Sequence, residues 1–221
     1  MVSGVGADER GDALLEVYRK HGVNTDLVQA LQDYPTGVVQ VELTEKGLPT
    51  FTIGEKAAWD HWEWNEEIER TVRNADALYF GTLGQRGPSA RDGIRRALEI
   101  ARATKIPRIL DINLRAPFFD DLLIRESIAL CTVLKVSDEE LNRVCQACEI
   151  DLSQSDESVL SELRTKFELD LVVMTRGAEG AVLNHAGGVV EQPGVLAKVV
   201  DTVGAGDSFT ASMTLGLLAG K

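Results

Sequence analysis

From residue 75 onward, short apolar runs alternate with amphipathic stretches. Ala77-Leu78-Tyr79-Phe80-Gly81 reads as a strand, followed by a helix with Ile94, Ala97, Leu98 and Ala101 on one face. Arg108-Ile109-Leu110-Asp111 is the next strand, and a helix follows near Asp121 to Leu130. Thr132-Val133-Leu134-Lys135 is another, leading into a helix from Ser137. A further helix carries Val159, Leu160, Leu163 and Phe167 and precedes a strand from Leu171 to Thr175. Such β-α repetition predicts a mainly parallel sheet with helices on both faces. Sheets of that kind bind ligands beyond the carboxyl ends of their strands.

Two segments break the rhythm. Val39, Val41 and Leu43 alternate with Gln40 and Glu42, a turn is expected at Glu45-Lys46-Gly47, and Thr50 to Ile53 answers as a second strand. This predicts a hairpin with one apolar face. Between Ala181 and Val200, Gly187-Gly188 and Pro193-Gly194 separate short runs, which predicts antiparallel strands. No internal repeat, low-complexity tract or linker is evident.

The 221 residues suffice for one sizeable core, and 44% hydrophobic with 26% charged residues is ordinary for a globular protein. A net charge of -12 argues against general binding to nucleic acid or an anionic membrane. A nucleotide is still compatible, because Mg2+ and a few local cations neutralise a triphosphate. No apolar run approaches the roughly 18 residues of a membrane span, and no signal-peptide pattern is read at the start. With three cysteines, a cytoplasmic, reducing setting is the expectation. Leu141, Val144, Cys145 and Cys148 share one helix face, so the C-x-x-C reads as core packing, not as half of a zinc site. His21, His61 and His185 share no metal-ligand spacing and read as surface or loop residues.

The string Asp201-Thr202-Val203-Gly204-Ala205-Gly206-Asp207 runs straight into an apolar, helix-like segment. Flexible backbone at a helix start lets several N–H groups converge on an anion, with Asp207 beside them to take a proton. That pairing implies phosphoryl transfer. The plainer reading is a tight turn with Asp207 as its N-cap. A Walker A string is absent, and a dinucleotide fingerprint fails because Phe209 stands where its third glycine belongs.

The whole string, continued by Ser208-Phe209-Thr210-Ala211, resembles the second signature of the ribokinase-like (PfkB-type) carbohydrate kinases. The resemblance implies that Gly204, Ala205 and Gly206 form an anion hole and that Asp207 is the catalytic base, close to the acceptor sugar. Thr175-Arg176-Gly177-Ala178-Glu179-Gly180, a plain hairpin turn on residue types alone, is similar to the family's nucleotide loop. Thr175, Arg176, Gly177 and Gly180 then join Thr202, Gly204 and Gly206 in holding ATP. Asp111-Ile112-Asn113-Leu114-Arg115, otherwise a polar loop after a core strand, looks like the D-x-N-x-R of fructokinase-type relatives. This implies Asn113 and Arg115 near the substrate and Asp111 near a metal. Ser137-Asp138-Glu139-Glu140 is a capping box in its own right. It also sits where the family has N-x-x-E, so Glu140 is implied to act on Mg2+ through water, although Ser137 replaces the usual Asn. The preceding Lys135 also suits the fructokinase-like branch. Trp59, Trp62 and Trp64 read as a small aromatic core under the hairpin, with Asp60 a candidate acceptor for a sugar hydroxyl.

The expectation is therefore an α/β protein with a ribokinase-like, mainly parallel (Rossmann-like) sheet and a small β-hairpin lid. Residues 1–34 and 57–221 form the kinase core and residues 35–56 the lid. The opening Val5-Gly6-Ala7-Asp8 with Gly11 looks like an internal V-G-x-D-x-x-G segment of the family, and no counterpart of its early Gly-Gly…Asn signature is present. Truncation at both ends is expected. The implied activity is transfer of the γ-phosphate of ATP to a primary hydroxyl of a small sugar, fructose or a related carbohydrate. The alternative is a catalytically incompetent, nucleotide-binding remnant of such a kinase. ATP and Mg2+ are the implied cofactors, with K+ a further candidate. The implied partners are the sugar, ATP and a second copy paired through the lid, without nucleic acid or membrane.

Overall fold

The structure, a computed structural model, describes residues 1–43 and 49–220. The chain packs as two units, residues 1–71 with 84–97 and residues 72–83 with 98–221. Helices Glu66–Arg73 (α2) and Pro88–Ala103 (α3) contribute residues to both.

In the first unit, strand Ser3–Gly6 (β1) pairs in parallel with Val28–Leu31 (β2), and helix Glu9–Lys20 (α1) connects them. A polar network sets the start of α1. Asp8 caps it, accepting from Gly11 N at 2.8 Å, from Thr36 N at 2.9 Å and from Thr36 Oγ1 at 2.7 Å. The Thr36 amide, the Thr36 hydroxyl and the Gly11 amide hold the Asp8 carboxyl down at about 2. The V-G-x-D-x-x-G pattern follows from space. A Cβ on Gly6 would stand 2.3 Å from Asp8 Oδ2, and one on Gly11 would stand 2.2 Å from the Gly6 carbonyl oxygen.

The expected hairpin is present as Val39–Leu43 (β3) and Pro49–Ile53 (β4), antiparallel and forming a sheet of their own. Its turn at Glu45-Lys46-Gly47 lies outside the described residues. The three tryptophans are covered by different neighbours. Trp62 is buried against Gly93 of α3, Trp59 lies against Gly37 and under Arg86, and Trp64 lies under Arg96. Each ring finds a backbone gap or a guanidinium, which covers it as well as another ring would.

In the second unit, strands Leu78–Gly81 (β5), Arg108–Asp111 (β6), Val133–Ser137 (β7) and Leu171–Thr175 (β8) are parallel neighbours. Gly180–His185 (β9) and Gly188–Pro193 (β10) add antiparallel strands, giving the order β10-β9-β8-β7-β6-β5. The predicted alternation beyond Pro193 does not continue as a strand. The ladder ends where Pro193, which has no N–H to donate, faces Gly180. Helices Asp121–Leu130 (α4), Asp138–Cys148 (α5) and Asp156–Lys166 (α6) fill the crossovers, and Ala205–Leu218 (α7) follows the last strand.

Strand parity divides the core. Leu110, Leu134, Val172 and Met174 share one strand parity and are all within 1% of full burial. Ile109, Val133, Leu171 and Val173 point to the other face, where Phe209, Met213 and Leu217 of α7 cover them. Cys131, Cys145 and Cys148 are free and buried, and burial pushes the Cys145 and Cys148 thiols up to about 11, as core packing predicts. His21 and His185 are exposed, and His61 stacks on Tyr34 at 3.5 Å. Among the described residues, no helix is long and apolar enough to cross a membrane.

Candidate active site

The polar residues of the second unit gather where its parallel strands end. Register puts Gly81, Asp111, Lys135 and Val173 in one row across β5 to β8. Asp111 and Lys135 share the parity of Ile109 and Val133, so they meet α7.

Helix α7 begins at a sharp turn. Gly204 is its N-cap in the left-handed region, with φ 76°, which glycine adopts without a Cβ penalty. Asp201 Oδ1 accepts from Val203 N at 2.8 Å, and Ala205 N donates to the Thr202 carbonyl at 3.1 Å. The amides of Gly204, Gly206 and Asp207 have no acceptor among the described residues. These three, not the Ala205 amide, are the donors left for an anion. Asp207 is the third helical residue, exposed at the same turn.

Beneath this turn lies a buried charged pair. Lys135 Nζ donates to Asp111 Oδ1 at 3.0 Å, and the two side chains are 8% and 2% exposed. Thr210 Oγ1 lies 2.9 Å from Asp111 Oδ2 and 3.0 Å from the Gly206 carbonyl, with one hydrogen to give to either. Burial pushes the Asp111 carboxyl up, against the opposing pull of Lys135 and Thr210. Tyr79 of β5 is raised to about 12 by burial and by the nearby charges of Asp111 and Asp207.

Glu140 joins three segments. Its Oε1 accepts from Leu114 N at 2.7 Å, and its Oε2 accepts from Ser137 N at 3.0 Å and Ser137 Oγ at 2.8 Å. The capping box is thus real, and the same carboxylate ties the loop after β6 to the start of α5. In that loop Asn113 takes a positive φ of 39° and Arg115 is exposed, with Nη1 3.3 Å from the Leu114 carbonyl. Thr175 ends β8 opposite Ser137 and Ala181. Arg176 N closes the following turn on the Gly180 carbonyl at 2.7 Å, and its guanidinium pairs with Glu191. Gly177 and Gly180 have positive φ there, and a Cβ on Gly180 would meet the Gln192 carbonyl at 2.0 Å.

Asp60 belongs to the first unit. Both its oxygens accept from Arg86, Nε to Oδ1 at 2.8 Å and Nη2 to Oδ2 at 2.7 Å, and its backbone is packed against Gly87. Lys135 and Thr210, which the motifs include without assigning them a role, both contact Asp111. A lysine within Val133-Leu134-Lys135-Val136, in register with an aspartate, is the signal that marks the first of them.

The order and direction of the strands, with glycine-led α7 at their carboxyl ends, define a ribokinase-like α/β protein. The pfkB family carbohydrate kinase model matches residues 1–221, and the chain belongs to that family. An aminoimidazole riboside kinase of Salmonella typhimurium is 28% identical over 95% of this chain and 65% of its own length. An Escherichia coli fructokinase is 25% identical over 96% of the chain and 69% of its own length. The chain thus spans about two thirds of the length of these relatives. In fold it is similar to the ATP-bound fructokinase of Xylella fastidiosa (TM-score 0.85, 20% identity, 99% of this chain and 67% of that one). It is also similar to the Salmonella enterica aminoimidazole riboside kinase complexed with aminoimidazole riboside and an ATP analogue (TM-score 0.77, 24% identity, 99% and 70% covered).

Proposed function

We propose that this protein transfers the γ-phosphoryl group of ATP to a primary hydroxyl of a small sugar, fructose or a related carbohydrate. The observation that carries the reading is the exposed Asp207 carboxylate beside three amides, Gly204, Gly206 and Asp207, with no acceptor among the described residues. The similarity to a fructokinase and an aminoimidazole riboside kinase supports an acceptor of the sugar or riboside class.

In the reaction, the acceptor oxygen attacks the γ-phosphorus and the bond to the β–γ bridging oxygen breaks, releasing ADP. Asp207 takes the acceptor's proton. The α7 amides and the positive pole of that helix hold the charge on the transferring group. Thr175, Arg176, Gly177, Gly180 and Thr202 border the nucleotide, Asn113 and Arg115 the acceptor side. Asp60 acts on the sugar by fixing Arg86, and the β3–β4 hairpin serves as a lid.

Mg2+ fits these residues only through water. Among the described residues no group of three or more metal-ligating side chains exists, and the Glu140 and Asp111 oxygens already accept hydrogen bonds. Glu140 Oε1 and both Asp111 oxygens accept one hydrogen bond each and keep a lone pair, which suits an ion that retains several waters. When bound, Mg2+ neutralises the ATP phosphates. Val39 and Val41, 44% and 57% exposed on β3, support hairpin pairing between two copies, which sedimentation velocity tests.

The test is Asp207→Asn. Loss of a positioned base lowers kcat about 10²–10⁴-fold, with the thermal shift from Mg-ATP retained. Near-normal turnover removes Asp207 from this role. In the alternative, a nucleotide-binding remnant, Mg-ATP stabilises the wild type but no sugar phosphate forms.

A further inference from the structure

The loop after β6 is held at three points, each by a different segment. Ile112 N donates to the Lys135 carbonyl of β7 at 3.1 Å, and Leu114 N donates to Glu140 Oε1 of α5 at 2.7 Å. The Ile112 carbonyl accepts from Thr82 Oγ1 at 2.7 Å, with the Asn113 carbonyl 3.5 Å from the same hydroxyl. Thr82 directly follows β5 and is 1% exposed. Gly81 lets the two segments approach, for a Cβ there would crowd the Asp111 carbonyl at 3.3 Å.

Among these anchors Asn113 takes a φ of 39°. Lys105, Glu149 and Glu168 also have positive φ, but each lies just past the end of α3, α5 or α6, where such a residue closes a helix. Asn113 follows a strand, and no helix end calls for its conformation. Its half-buried side chain has no hydrogen-bond partner among the described residues. An amide that can donate and accept at once is left open. A buried carbonyl needs a donor for stability alone, which accounts for the Thr82 bond by itself. It does not account for the left-handed residue with an open amide beside it. A sparsely populated backbone conformation persists where its surroundings over-determine it, and such residues gather at binding sites.

We propose that Thr82 is a positioning residue for the phosphoryl acceptor. Its hydroxyl, bonded to the Ile112 carbonyl, keeps Asn113 left-handed. The Asn113 amide then engages a non-reacting hydroxyl of the acceptor, giving one hydrogen bond and taking another, which suits an uncharged polyol. This rests on the kinase reading above, in which Asn113 borders the acceptor, and assigns what holds it there.

The test is Thr82→Val, which keeps the branched shape and removes the donor. The Tm is expected to fall, because the Ile112 carbonyl loses its partner. The kcat/KM for sugar falls about tenfold, the scale of one hydrogen bond. The KM for ATP and the thermal shift with Mg-ATP stay as in the wild type, and Thr82→Ser restores both Tm and rate. A double-mutant cycle with Asn113→Ala separates positioning from packing. In that background Thr82→Val still lowers the Tm but costs no further activity. A Thr82→Val enzyme of wild-type kcat/KM, or an equal loss of activity in both backgrounds, overturns the proposal. Should Thr82→Val not fold, Asn113→Gly takes its place. Glycine accepts the left-handed conformation freely, so the Tm stays near that of the wild type while kcat/KM for sugar falls about tenfold. Full activity of Asn113→Gly overturns the proposal again. A wild type that phosphorylates no sugar defeats the kinase reading together with this one. An active wild type with unaffected variants defeats the role of Thr82 alone.

Discussion

Arg86 grips Asp60 with two nearly equal hydrogen bonds, Nε–Oδ1 at 2.8 Å and Nη2–Oδ2 at 2.7 Å, and the side chains are only 7% and 6% exposed. A third bond runs from Arg86 Nη2 to the Gly54 carbonyl at 2.7 Å, which ties the end of β4 to this pair. Removing one partner of such a pair leaves a buried charge. Asp60→Ala is therefore expected to destabilise the protein by about 3–5 kcal/mol, measured by urea unfolding. Under the proposed sugar role, Asp60→Asn raises the KM for sugar while the KM for ATP stays level. A loss below about 1 kcal/mol for Asp60→Ala places the pair among weak surface contacts.

Asp8 gives a pH signature. Its folded pKa, about 2, lies below its ordinary value of 3.8. A depressed carboxyl contributes stability that is present above the unfolded pKa and is lost as pH falls through the folded one. Asp8→Asn is expected to lower the Tm at pH 7, with the gap to wild type closing between about pH 4 and pH 2. A gap that stays constant across this window assigns the effect to shape and not to charge.

The two units were unequally legible in sequence. Strands β6 and β8 and helix α4 fall on the residues that apolar spacing marks, because each buries a regular face in the sheet core. In the first unit, α1 buries only Gly11 and Leu15, and its start is fixed by Asp8 and Thr36. Periodicity carries no trace of such a polar knot. Motif reading singled out Gly204 and Asp207, whose proposed roles depend on backbone conformation written in local sequence. It named Lys135 without its partner and passed over Arg86, because their partners lie 24 and 26 residues away, and only strand register or tertiary packing joins them.

The two glycines of the α7 turn separate strain from chemistry. Gly204 has φ 76°, and nothing lies within 4 Å of a Cβ added there. Gly204→Ala therefore costs about 1–2 kcal/mol from backbone strain alone, and Gly204→Asn costs less. A Cβ on Gly206 meets only the flexible end of Lys135, at 3.3 Å. Gly206→Ala is expected to change stability by less than about 1 kcal/mol and, under the proposed anion-binding role of this turn, to lower kcat at least tenfold. Denaturation midpoints and steady-state rates on the same preparations check both. A Gly206→Ala enzyme of full activity shows that the space at this turn does not govern transfer.

Glu140 has a structural duty and a proposed chemical one, and a single substitution resolves them. Gln at this position keeps one acceptor oxygen, so either the Leu114 or the Ser137 amide loses its partner. One unsatisfied, partly buried donor costs about 1–3 kcal/mol, which denaturant unfolding will show. The charge is a separate matter. A carboxylate that accepts from metal-bound water raises local Mg2+ affinity, so Glu140→Gln is expected to increase the Mg2+ concentration for half-maximal rate, with the KM for sugar unaltered. If stability falls while the Mg2+ dependence stays the same, Glu140 serves only to fasten the loop after β6 to the start of α5. The loop and the ion are distinguishable because Gln preserves most of the cap while removing the whole charge.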